Sequence, residues 1–255
     1  MINLVKAEFY KLHRNKTFWV VTGTVTGFSS LLHLLVIYDW WLLSGTDFDQ
    51  AGLSELNALS PFTLPLFFHL IVSTLAGYFI STEFSQSGVI KNQLLSGNKR
   101  SQIYLAKLLV FSLSSILAVI VIPVLTAIIV VNLTGYSEIF SPSAVMYLER
   151  VYSLFTLHFL CFTSIVLLIA MVTEDSGRTI LFTLLLSVVM FAVEKLSSAP
   201  MIRFVYEHTF FYQFSHVFKA SMAKGEVLTS ILIGAVTFTV ITTSGIYLFN
   251  RKEIN

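Results

Sequence analysis

Long apolar runs alternate with short polar connections along the whole chain. Six stretches, about 17–38, 61–80, 105–133, 150–173, 179–194 and 228–249, are predicted to cross a membrane as helices. Spanning about 30 Å of hydrocarbon takes roughly 20 apolar residues at 1.5 Å each. The third stretch is long and contains Pro123, which predicts a tilt or a kink. Ahead of the first, Ile2, Val5, Phe9 and Leu12 recur at spacings of three and four, with Lys6, Lys11, Arg14 and Lys16 around them. That pattern predicts a helix lying on an anionic membrane surface. The run after it is too long for a signal peptide and lacks a small-residue cleavage site, so it reads as a retained span. Between the last two spans, Lys195 to Glu226 is crowded with aromatic residues and interrupted by Pro200, His208 and Gln213. Short helices dipping into the outer interface fit it. Phe204, Tyr206, Phe210, Phe211 and Phe214 then form either an aromatic belt or an exit gate.

Composition agrees with the pattern. Hydrophobic residues make up 55% of the chain and charged residues 12%, against about 25% charged in soluble domains. Mean hydropathy is +0.80. The distribution of charge matters more than the net +2. With the N-terminus inside, 11 Lys and Arg fall on the inner side and five on the outer. The first outer loop, Asp39 to Ser60, holds four acids and no base. The expected fold is therefore an all-α integral membrane protein with six transmembrane helices and both termini in the cytoplasm. Residues 1–16 form a surface helix and 17–255 a single membrane domain without internal repeats. A lone cysteine, Cys161, leaves no disulfide framework and no cysteine zinc site.

One polar stretch stands out, Ser81 to Lys107. It sets Lys91, Lys99, Arg100 and Lys107 against Glu83, with Phe84, Val89, Ile90, Leu94 and Leu95 at helical spacings and a Ser96-Gly97-Asn98 stop. It reads as a short docking helix on the cytoplasmic side. Catalytic patterns are lacking: none of the twelve glycines precedes a lysine, so no phosphate-cradling loop is present. GxSxG and HExxH are also missing. His33, His69 and His158 lie within the spans. They either line a polar pathway, as ionisable groups inside a membrane often do, or are neutral and bonded to a Ser or Thr nearby. Gly23 and Gly27 form a GxxxG, suited to packing within the bundle or to a seam between two copies. Glu174 to Arg178 reads as a plain hairpin or a smaller partner contact.

The run Glu83, Gly88, Val89, Ile90, Lys91, Asn92, Leu95, Gly97, Arg100, Tyr104 and Lys107 resembles the signature of type-2 ABC exporter permeases, with Val89 where Thr is commoner. The basic N-terminal segment, the six spans and the aromatic segment before the last one are similar too. Without a large outer domain, the chain looks most like the bacterial lantibiotic-immunity, bacitracin-resistance and phenol-soluble-modulin exporters. The resemblance implies a permease in a bacterial plasma membrane that does not itself hydrolyse ATP. Two copies of a separate cytosolic subunit would bind ATP and Mg, and a second permease, identical or related, would complete the transporter. The cargo would be an amphipathic or hydrophobic peptide of antimicrobial or toxin type, with no nucleic acid involved. It further implies that Glu83, Phe84, Gly88, Val89, Ile90, Lys91, Leu94, Leu95 and Arg100 couple to the ATPase. Phe84, Val89, Ile90 and Leu94 would make the contact, and Glu83 would pair with Arg100 or with a cation of the surface helix such as Arg14. An intramembrane metal-dependent enzyme using His69, His158 and Glu194, and a non-catalytic receptor or scaffold, are the rival readings.

Overall fold

The computed structural model describes residues 1–41, 43–85, 87–135, 141–196 and 199–252. Gln86 in the basic stretch and the last three residues of the domain drawn from sequence lie outside it. The described residues are helical and contain no strand. In chain order they form α1 (Ile2–Arg14), α2 (Lys16–Ile37), α3 (Pro65–Ser85), α4 (Ser87–Leu95), α5 (Arg100–Leu133), α6 (Pro142–Thr173), α7 (Ser176–Lys195), α8 (Pro200–Glu207), α9 (Phe210–His216) and α10 (Lys224–Arg251). Six of these, α2, α3, α5, α6, α7 and α10, are long and apolar enough to cross a membrane.

Two spans differ from their predicted limits in an informative way. The sequence pattern closes the second span at residue 80 and opens the third at 105. The helices instead run on to Ser85 and start back at Arg100. A hydropathy reading treats each charge as a boundary, yet Glu83 and Lys107 neutralise one another here, so neither has to leave the helix.

Helix α1 ends at Asn15, where the backbone turns extended. The Asn15 side chain accepts from the Phe18 amide at 3.1 Å, capping α2, and donates to the Tyr78 carbonyl of α3 at 3.2 Å. One residue thus fixes the angle between α1 and the bundle. The buried stripe of α1 is Leu4, Glu8 and Leu12. Of the predicted apolar face, Leu12 points inward while Ile2 and Phe9 are exposed.

Two spans carry wide, π-helical turns with identifiable causes. In α3 the turn covers Ala76–Ser81. There the Gly77 carbonyl accepts from the Ser81 hydroxyl at 2.6 Å and from the Ser176 hydroxyl of α7 at 2.7 Å. In α5 it covers Leu117–Val121, just ahead of Pro123, whose ring would otherwise collide with the carbonyl one turn back. The irregularity expected at Pro123 is thus a wide turn.

Helices α3 and α6 are the most buried spans, whereas α2, α7 and α10 turn most of their surface outward. The core between them is aromatic. Phe68 lies with ring centroids 5.6 Å from Phe155, 5.7 Å from Phe159 and 4.8 Å from Phe214. Glycine decides two close approaches of α10. A Cβ on Gly234 would sit 2.6 Å from Leu157 of α6, and one on Gly245 would run into the Tyr104 ring of α5. The GxxxG pair of α2 is different, since nothing lies within 4 Å of a Cβ on Gly23 or Gly27.

Candidate functional site

At the end of the bundle that holds α1 and α4, four ionisable side chains from three helices converge. Lys11 of α1 donates to Glu8 at 2.6 Å and to both oxygens of Glu83 at 2.9 Å. Lys107 of α5 donates to both oxygens of Glu8 at 3.2 Å and also to Glu83. Gln93 of α4 adds a bond to Glu8 at 2.9 Å. Two carboxylates face two ammonium groups, so the cluster is neutral as a whole. Its inner half is shut off from solvent and its outer half is not: side-chain exposure is 0% for Lys107, 1% for Glu8, 12% for Glu83 and 29% for Lys11. Burial works against a charged Glu8, but Lys107 and Lys11, with bonds from Lys11 and Gln93, outweigh it and hold its carboxyl below its ordinary range. Burial also works against a charged Lys11, and Glu8 and Glu83 overcome it and raise its amine. Both α1 groups therefore keep their charges across the neutral range.

A second knot lies beside the first. Arg100 at the start of α5 donates to the Phe249 carbonyl at 2.9 Å and to the Lys252 carbonyl. Lys252 pairs with Glu174 at 2.5 Å and donates to the Met171 carbonyl. This ties α5 to the ends of α10 and α6. Phe84 sits between the knots, 5.9 Å from the Lys107 ammonium, 5.4 Å from that of Lys252 and edge-on to Phe249 at 5.7 Å. Glu83 therefore pairs with Lys107 and, among the surface-helix cations, with Lys11 rather than Arg14; Arg100 is not its partner. The reason is reach: Arg100 is held by the C-terminal carbonyls, and Arg14 lies over the Tyr10 ring at 4.7 Å.

The short helix α4 stops where Gly97 takes a positive φ of 82°, with Asn98 bonded back to the Gln93 carbonyl at 3.0 Å. Two of the four residues expected to touch a partner, Phe84 and Ile90, are buried within this chain. Val89 and Leu94 are half-buried. The outward surface of α4 is Gly88, Lys91, Asn92 and Leu95, the last 77% exposed. Of the surface-helix residues, Lys6, Phe9 and Arg14 face out, Lys11 enters the cluster and Leu12 is buried.

The histidines each find a separate partner. His33 donates through Nδ1 to the Ser29 carbonyl of its own helix at 2.7 Å. His69 contacts the Ser187 hydroxyl of α7 and stacks on Phe162 at 3.8 Å. His158 meets the Ser230 hydroxyl of α10 at 2.8 Å. Glu194, the remaining member of the rival catalytic set, takes a bond from Tyr206 at 3.5 Å. Among the described residues no three His, Cys, Asp or Glu groups are placed to hold a metal. Of the aromatic gate candidates, Phe210, Phe211 and Phe214 pack together, Phe211 and Phe214 also meet His69, and Tyr206 is buried with its ring against Tyr212. Phe204 stands apart, exposed.

Glu8 was not singled out in the sequence. Its signal was there: the only acid among the first 38 residues, set four residues from Leu4 and four from Leu12. The arrangement offers no nucleophile with a base. What it can do is hold four helices as one unit and pass a displacement of α4 to α1, α3 and α5.

Over residues 4–194 the chain matches the family described as ABC-2 family transporter protein. Neither a curated protein nor a solved structure matches it.

Proposed function

Because the chain belongs to the ABC-2 family of transporter proteins, and is thus the membrane permease subunit of an ABC transporter, we propose that it works as an exporter driven through α4. In this reading two cytosolic subunits bind ATP and Mg, and each receives the α4 of one permease in a cleft of its own. A second permease, identical or related, completes the pore. Both termini and the charge cluster lie on the cytoplasmic side of a bacterial plasma membrane, and α1 is an elbow helix along the inner leaflet. The cargo is an amphipathic or hydrophobic peptide, as for the lantibiotic-immunity, bacitracin-resistance and phenol-soluble-modulin exporters that the chain resembles.

The observation that supports this best is the buried neutral cluster. A loop helix that merely covers the end of a bundle needs no buried ion pairs. Here Gln93 and Glu83 fasten α4 and its approach to α1 and α5, so a push on the helix moves the span ends with it. The docking face is then the outward one, Lys91, Asn92 and Leu95 with Gly88, rather than the buried Phe84 and Ile90.

The test is recovery of a soluble ATPase with the permease from native membranes. Lys91→Glu with Leu95→Asp removes an apolar contact and reverses a charge on that face. At about 2 kcal/mol or more for a central contact, recovery falls by at least roughly tenfold at unchanged permease content. Unchanged recovery rules out this face as the docking surface.

A further inference from the structure

The two charged knots at the α1–α4 end of the bundle are built to different strengths. In the first, Lys107 and Glu8 are shut away from water, so parting them strands charge in a dry place. In the second, the Lys252 and Glu174 side chains keep 21% and 42% of their surface exposed, so water can replace either partner. A pair of that kind is weak, and salt weakens it further.

Glu174 is the unusual member. It follows the last residue of α6 with φ 51° and ψ 20°, in the left-handed region. A Cβ is disfavoured there, and Gly is the usual residue at a helix end of this shape. The turn itself has no use for the carboxylate, because Asp175 caps α7 by accepting from the Arg178 amide at 2.8 Å. The Glu174 carboxylate instead reaches Lys252 at 2.5 Å. Backbone strain in one turn is thus offset by a contact outside it.

The ties of the second knot run through the last turn of α10. Lys252 gives its ammonium to Glu174 and to the Met171 carbonyl of α6. Its carbonyl, with that of Phe249, goes to Arg100 of α5. Of the six spans α10 is the least buried, so it has the least packing to overcome when its end moves.

We propose that Lys252 and Glu174 form a release clasp: α6 parts from the end of α10 while the charge cluster of α1, α3 and α5 stays shut. Opening the clasp gives up one exposed pair and one bond to a carbonyl, and frees Glu174 to leave the left-handed region. Opening the cluster strands Lys107 with two carboxylates. Arg100 keeps the end of α10 with α5, so the element that yields is the α6–α7 hairpin. In the proposed exporter this sets where the bundle gives when α4 is pushed. That role rests on the α4 reading, whereas the clasp does not.

The test uses the purified full-length chain alone, in nanodiscs, so loss of the α4 reading leaves it intact. Spin labels on Val172→Cys and Asn250→Cys, both exposed, report the α6–α10 distance, and labels on Lys6→Cys and Leu95→Cys report the cluster. The native Cys161 is buried. Lys252→Gln raises the share of longer α6–α10 distances about fivefold, the size expected when an exposed pair is lost. Lys252→Arg, which keeps the charge, stays at the native share. Glu174→Gly, which removes strain and carboxylate together, opens the clasp as Lys252→Gln does. Salt at 1 M acts in the same direction on the native chain and adds nothing to Lys252→Gln. An unchanged α6–α10 distance in Lys252→Gln overturns the proposal. So does a native distance in Glu174→Gly, which assigns Glu174 to its turn, or an α1–α4 distance that widens as much as the first.

Discussion

Lys107 meets two carboxylates with no exposed surface of its own, and the sum is delicate. An ammonium and a carboxylate lose several kcal/mol each on leaving water, and only full pairing returns it. Removing one member is therefore far worse than removing a matched pair. Lys107→Met leaves Glu8 and Glu83 sharing Lys11 and costs about 3–5 kcal/mol. Adding Glu8→Leu leaves a plain Glu83–Lys11 pair and restores most of that loss. Thermal unfolding of the purified chain in detergent or nanodiscs reads both, and a double variant no more stable than the single one argues against a coupled cluster. The intramembrane histidines belong to a smaller scale: a hydrogen bond between membrane helices averages about 0.6 kcal/mol, with a ceiling near 1.7. His158 with Ser230 locates α10 against α6 but does not hold the bundle as the charge cluster does.

Among the elements, α2 and α10 show what a small residue does in a membrane helix. Gly245 is filled against by Tyr104 and Gly234 by Leu157, so these positions set how closely α10 approaches α5 and α6. Gly23 and Gly27 face outward with space around them. Gly245→Leu overpacks the α5–α10 crossing and lowers stability by about 1–3 kcal/mol. Gly27→Leu leaves the stability of the isolated chain within about 0.5 kcal/mol. A melting comparison of the two variants separates a packing glycine from one that merely looks like it in sequence, and equal losses would contradict the assignment. The wide turns in α3 and α5 follow the same logic. Each lies where a carbonyl is diverted or blocked, by two hydroxyls at Gly77 and by the Pro123 ring.

For the molecule as a whole, the two ends differ in kind. One carries the charge cluster and the Arg100–Lys252–Glu174 knot. The other is closed by aromatic packing, with Phe48 5.9 Å from Phe218 and Tyr147 bonded to the Phe218 carbonyl at 2.8 Å. The positive-inside rule predicts that the charged end faces the cytoplasm. In intact cells a membrane-impermeant maleimide should label Ser54→Cys, and label Leu95→Cys only after permeabilisation. Both positions are exposed, and the native Cys161 is buried. The opposite pattern inverts the bundle and removes α4 from any cytosolic partner.

The apolar runs alone determined that there would be six long helices, because a span must satisfy its backbone internally over about 20 residues whatever its neighbours are. They also marked a boundary after residue 16, the trouble at Pro123, a short helix stopping at Ser96-Gly97-Asn98 and the aromatic stretch before α10. Which charges end a helix and which stay inside it was decided only by the fold. Glu83 and Lys107 lie 75 and 99 residues from Glu8 along the chain, and each of the three looks like a surface charge until the others are beside it. The same holds for Phe84 and Ile90, which local spacing marks as contact residues and packing buries. Hydropathy is a property of one segment, whereas neutralising a buried charge takes two, and pairing across helices exists only once the helices are packed.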